Sequence, residues 1–178
     1  MPPFAKVKPE HFKPAFEESM KSHLDDLQKI VDSKDAPTFD SVALPLDRAG
    51  ADYEKIAYLF GHLCGSYNTE DLQKVQMDMA PISARHGNAV STYPGLFDKV
   101  DAVYSSRESS GLNSEQIRLV ERLHLDMVRA GARFTAEDKK EYGDLMAQLA
   151  EKCTQFEQNV MKDESSYSIT MTKNDLSG

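Results

Sequence analysis

The sequence predicts an all-α fold, an elongated multi-helix bundle with one candidate β-strand at its C-terminal end. Two observations lead there. Apolar residues recur at intervals of three and four through almost the whole chain, the spacing of one helix face. The last such segment, roughly residues 136–162, would measure about 40 Å at a rise of 1.5 Å per residue. A compact domain of this size has a radius of gyration of only about 16 Å, so that helix must cross the whole body.

The elements follow in order. Phe16, Met20, Leu24, Leu27 and Val31 form one stripe on a helix predicted from about Pro14 to Asp32, with Pro9 and Pro14 suited to a lead-in turn and a helix start. After a linker through Pro37, Thr38 is an N-cap for a second helix reaching about Ala49, ended by Gly50, with Pro45 awkward in its middle. A third helix, about Asp52 to Tyr67, carries Ile56, Leu59, Phe60 and Leu63. Thr69 opens a fourth, with Glu70 and Asp71 at the positive end of its dipole, running to about Val90 with a kink expected near Pro81. Tyr93-Pro94-Gly95 is a turn, followed by a short helix bearing Leu96, Phe97, Val100 and Val103 and by a polar loop from Ser105 to Gly111. Ser114 is predicted to cap a helix to about Gly131 with Ile117, Val120, Leu123 and Met127, and Thr135 to cap the long one. From Ser165 to Thr172, Tyr167, Ile169 and Met171 alternate with polar residues, the period of a half-buried strand. A lone strand needs a neighbour, and no other segment alternates, so its partner is expected beyond Gly178. The alternative is a disordered tail.

Composition narrows the function. At 178 residues the chain can bury a genuine core. A net charge of −8, from 29 acidic and 21 basic residues, gives no electrostatic footprint for nucleic acid or an anionic membrane. Cys64 and Cys153 lie far apart and form neither a zinc knuckle nor a redox pair, so reduced, buried thiols are expected. The opening Met1-Pro2-Pro3-Phe4 leads into charged residues rather than an apolar leader, which reads as a cytoplasmic protein.

No self-sufficient active site is legible. His11, His23, His62, His86 and His124 are scattered, and there is no H-E-x-x-H helix to present two imidazoles to a metal. His62 and Cys64, two residues apart on a helix, point to different faces and cannot act as a nucleophile pair. Glu121 and His124 make one E-x-x-H, but a di-iron bundle needs a second copy and two further glutamates. The plainer reading is a surface ion-pair cluster with Arg122 and Asp126. The pairs Glu17/Glu18 and Asp25/Asp26 are solvated helix residues. Met77 and Met79, flanking Asp78, could line a peptide groove, although core filling is the commoner use of methionine. The expected catalytic, cofactor-binding and metal-binding residues are therefore none.

A resemblance rests on several short segments: Pro2-Pro3-Phe4, Lys8-Pro9-Glu10-His11-Phe12 and Pro14-Ala15-Phe16-Glu17; Pro37-Thr38-Phe39-Asp40-Ser41 with Leu46-Asp47-Arg48-Ala49-Gly50; Met79-Ala80-Pro81 with His86; Leu96-Phe97-Asp98-Lys99-Val100; Val128-Arg129-Ala130-Gly131-Ala132; and Phe156-Glu157-Gln158-Asn159-Val160. In order and spacing they resemble the start of the thimet oligopeptidase family, particularly its peptidyl-dipeptidase (dipeptidyl carboxypeptidase) branch. The resemblance implies a large, almost wholly helical zinc enzyme that cleaves short peptides in a deep channel. Its H-E-x-x-H helix and third glutamate ligand would come much later in the chain. This chain would correspond to helices of the channel wall, with zinc bound by the complete enzyme and not by these residues.

Residues 1–164 then read as the N-terminal helical domain of a metallopeptidase, and 165–178 as a strand or tail leading into a missing catalytic region. The alternative is a free-standing, non-catalytic helical module that binds partners, for instance through the strand around Ile169. Helix faces meant to pack on a catalytic domain would be exposed in this chain, so self-association or marginal stability in isolation is expected.

Overall fold

The computed structural model describes residues 2, 4–172 and 175. Pro3 of the opening segment, and residues 173–174 and 176–178 of the expected strand or tail, lie outside the described residues. Two single 3₁₀ turns, Phe4–Lys6 and Pro9–His11, lead into α1 (Phe12–Asp32). Then come α2 (Leu44–Arg48), α3 (Ala51–Ser66), α4 (Glu70–Ser91), α5 (Leu96–Ser106), α6 (Ser114–Arg129) and α7 (Ala136–Ser166). The fold is an all-α bundle, as the sequence predicts.

Local chemistry sets most boundaries. α1 begins two residues before Pro14, which therefore lies in its first turn, where a missing N–H needs no partner. Before α2, Thr38 and Ser41 cap each other: the Ser41 amide donates to Thr38 Oγ1 at 3.1 Å, and the Thr38 amide donates to Ser41 Oγ at 2.9 Å. The expected second helix is not one α-helix. Phe39–Ala43 forms a wide π-type turn, and α-helical winding resumes at Leu44, next to Pro45, whose absent N–H would break a continuous ladder. Gly50 then turns the chain with φ of 74°, and a Cβ there would collide with the His23 imidazole. α4 runs on through Pro81. α6 is capped by Asn113 rather than Ser114: the Gln116 amide donates to Asn113 Oδ1 at 2.9 Å, and the Asn113 amide donates to Gln116 Oε1 at 3.0 Å. Thr69 and Thr135 cap α4 and α7 as expected.

Two apolar clusters share α1. Its first half gives Phe12, Phe16 and Met20 to a cluster with Phe60 and Cys64 of α3 and Leu72 and Met79 of α4. Phe60 meets Phe12 and Phe16 at centroid distances of 4.8 and 5.5 Å. The second half gives Leu27 and Ile30 to a cluster with Val42 and Ala43, Leu96, Val100 and Val103 of α5, and Val120 and Met127 of α6.

α7 joins neither cluster and lies along α4. Gly143 and Ala147 are buried at that seam, and a Cβ at position 143 would come within 2.7 Å of the Asn88 side chain, so glycine permits the close approach. Further along, Gln158 donates to the Gln73 carbonyl at 3.1 Å. At 31 residues α7 extends about 46 Å, longer than the predicted segment because Lys162 to Ser166 stay helical.

The expected strand is not formed among the described residues. Ser165 and Ser166 belong to α7, and 167–172 are irregular and exposed. Alternation alone cannot hold a strand whose backbone groups find no neighbouring strand. Among the described residues no helix is long and apolar enough to cross a membrane.

Leu27 has no solvent exposure while Leu149 on α7 is 53% exposed. Leu27→Ala should therefore cost about 3 to 5 kcal/mol, and Leu149→Ala no more than about 0.5 kcal/mol, in urea unfolding curves.

Candidate functional site

The residues singled out from sequence do not converge. His62 is exposed on α3 while Cys64 is buried beneath it, and burial pushes the Cys64 thiol up to about 11, the opposite of an activated nucleophile. His11 lies in the lead-in turn, its Nδ1 accepting from the Lys8 amide at 3.3 Å. Met79 fills the α1–α3–α4 core, whereas Met77 is half-buried and not part of it. Glu17, Glu18 and Asp25 are exposed, and Asp26 pairs with Lys29 on the same helix. Arg122 and Asp126 approach to 4.0 Å as the spacing suggests.

The E-x-x-H pair is divided between two partners. His124 donates through Nε2 to Asp101 of α5 at 2.9 Å, while Glu121 lies between Arg107 at 3.4 Å and Arg118 at 3.6 Å. His124 belongs to a stacked series: its ring lies 3.9 Å from Tyr104, nearly parallel at 7°, and 5.5 Å from Phe97. Guanidiniums close both ends, Arg107 at 4.0 Å over Tyr104 and Arg133 at 5.6 Å over Phe97. The order Arg133, Phe97, His124, Tyr104, Arg107 ties α5, α6 and the turn after α6 together.

A second histidine cluster joins α1 to α4. His23 Nδ1 and His86 Nε2 are 3.1 Å apart, 63 positions distant in sequence, and Tyr53 packs against both rings. One ring nitrogen must donate and the other accept, which neutral imidazoles satisfy and two protonated ones could not. Burial, then the neighbouring His23, lowers the His86 pKa to about 4. Burial also lowers that of His23, against the raising influence of Asp26 and Glu54. The sequence shows both histidines, but nothing in their spacing links the two positions.

A zinc ion does not fit these residues. Among the described residues no group of three or more His, Cys, Asp or Glu side chains converges on a point. The His23–His86 pair offers two nitrogens already spent on each other.

A groove of about 540 Å³ lies between α3, α4 and α7, lined by Gly61, Cys64, Gly65, Gln76, Phe156 and Val160 among others. It continues an apolar stripe on α7. Leu145, Leu149, Phe156 and Val160 share one helix face and are 56%, 53%, 69% and 39% exposed. That face carries no catalytic group; its chemistry is that of a surface awaiting cover.

No protein-family model matches the chain. Among individual proteins, dipeptidyl carboxypeptidase of Salmonella typhimurium and that of Escherichia coli are each 31% identical to it over 160 residues, covering 90% of this chain and 24% of theirs. Oligopeptidase A of Haemophilus influenzae is 24% identical over 161 residues, with the same shares covered. The chain thus spans about a quarter of the length of the curated relatives it matches.

Two outcomes follow from these environments. The unfolded chain takes up protons at histidine before the folded one does, so the stability contributed by the His23–His86 pair is complete above pH 6.5 and is lost as pH falls toward 4. Melting temperature should drop across that window, by at most about 3 kcal/mol of stability, and His86→Gln should flatten the drop. With a thiol reagent, exposed Cys153 should label rapidly in the native state and Cys64 only after unfolding.

Proposed function

Over 90% of its length the chain is a homologue of dipeptidyl carboxypeptidase and oligopeptidase A, of the thimet oligopeptidase family, and from that premise we propose that it is the N-terminal helical region of a larger zinc peptidase cleaving short peptides. In that reading its helices form part of the wall of the substrate channel. Zinc and the catalytic water belong to another part of the polypeptide, and the whole enzyme acts in the cytoplasm.

The observation that carries the reading is the match at 31% identity over 160 residues, which cover 90% of this chain and 24% of a dipeptidyl carboxypeptidase. The α7 face supports it independently. Four large apolar side chains lie uncovered on a helix already packed along its other side, the arrangement expected where a further domain docks. Helices of a wall need supply no catalytic group, which agrees with the dispersal of the polar candidates.

An immunoblot of source cells with an antibody to this chain should reveal a polypeptide several times larger than 19.9 kDa, and immunoprecipitation should bring down peptidase activity that a zinc chelator abolishes. A single band near 19.9 kDa would replace this reading with the free-standing interaction module. The isolated chain should also self-associate through the bare α7 face. Sedimentation should show mass rising with concentration, and Leu149→Asp with Phe156→Asp should return it to a monomer without loss of helicity; a sharp monomer for the unaltered chain would count against the docking role.

A further inference from the structure

His23 sits on α1 between Met20, which belongs to one apolar cluster, and Leu27, which belongs to the other. α4 is divided in the same way. Leu72 and Met79 lie in the first cluster and Val90 packs against the second, with Pro81 and His86 standing between them. Pro81 has no N–H to donate to the Met77 carbonyl, so the helical ladder is one bond short at that point. Beyond it the helix carries a second defect, because Asn88 Oδ1 is buried with no hydrogen-bond partner. Among the described residues, the His23–His86 contact at 3.1 Å is the side-chain hydrogen bond that joins this half of α4 to α1.

The two rings differ in setting. His86 is 7% exposed, and the charge that bears on it is that of His23, since Arg85 beside it pairs with Asp144 of α7 at 3.9 Å. His23 instead borders a cavity of about 100 Å³, lined also by Ser22, Asp26 of α1, Arg48 of α2 and Asp52 of α3. Asp26 and Glu54 of α3 favour a proton on its ring, against burial. Tyr53 of α3 packs on both imidazoles, and the backbone of Gly50 lies against that of His23. A first proton therefore goes to His23, whose Nδ1–H then donates to the lone pair of His86 Nε2, and the bond survives. A second proton enters at His86 Nε2 and sets two N–H groups and two positive charges face to face. That arrangement cannot persist at 3.1 Å.

We infer that the pair is a two-proton latch: α4 stays closed on α1 with one proton bound, and the second releases residues 83–91, which swing about Pro81 while the buried clusters stay packed. Opening also hydrates Asn88 Oδ1, which offsets part of the lost packing. Acid thus loosens one half-helix before it melts the fold.

The test uses the 178-residue chain labelled with nitrogen-15, its ring and backbone resonances followed by NMR from about pH 7 to about pH 3.5. His23 should protonate first and His86 second, in steps about one pH unit or more apart. Backbone amides of residues 83–91 should shift with the second step only, those of 70–79 should stay in place, and the helical far-ultraviolet signal should hold through both. His86→Gln, which can donate and accept at any pH, should leave 83–91 unmoved on acidification. Pro81→Ala restores the missing N–H and should keep both ring titrations while cutting the shifts of 83–91 by about half or more. Protonation of His86 ahead of His23, equal shifts in 70–79, loss of helicity in the same step, or undiminished movement in Pro81→Ala would each overturn the latch.

Discussion

Everything in this molecule depends on α1 belonging to two cores at once. One continuous helix gives Phe12, Phe16 and Met20 to the cluster with α3 and α4, and Leu27 and Ile30 to the cluster with α5, α6 and the π-type turn before α2. Neither cluster is large, and burial of apolar surface is what holds each together. Joining them through an unbroken hydrogen-bonded ladder fixes their relative placement, which loops alone would leave free. His23 marks the crossing point. It reaches His86 on α4, while Gly50, before α3, must be glycine to let the imidazole past.

The polar groups buried in this frame serve structure more than chemistry. His86 is kept neutral by burial and bonded to another neutral imidazole, and Cys64 is raised out of the reactive range. An enzyme tunes such groups toward its working pH, whereas these are pushed away from it. What the fold offers outward instead is shape: the long apolar face of α7 and the groove beside it.

Much of the helical skeleton was legible because the apolar period of three and four is imposed by the cores themselves. The threonine caps at 38, 69 and 135 were equally plain, since an acceptor side chain before a periodic segment meets amides that nothing else can satisfy. Asn113, not Ser114, is the cap of α6, and its signal is Gln116 three residues on, the spacing of a reciprocal cap. The π-type turn before Pro45 follows from a competition between a capped start and a missing N–H, and the spacing of side chains records neither. The strand failed because its signal is local while its stability is not. The histidine pair joins positions 63 apart, and the His124–Asp101 bond beside the stacked series joins positions 23 apart, which only packing decides.

The chain contains seven tyrosines and no tryptophan, so its near-ultraviolet dichroism must come mainly from tyrosine. Tyr58, Tyr67 and Tyr167 are 76%, 70% and 71% exposed and turn too freely to contribute much. Tyr53 is packed against His23 and His86 in one half of the molecule, and Tyr104 is clasped between His124 and Arg107 in the other. Each half thus holds a chromophore of its own in a fixed asymmetric setting. The tyrosine signal therefore reads fixed packing in both cores at once, with no label added.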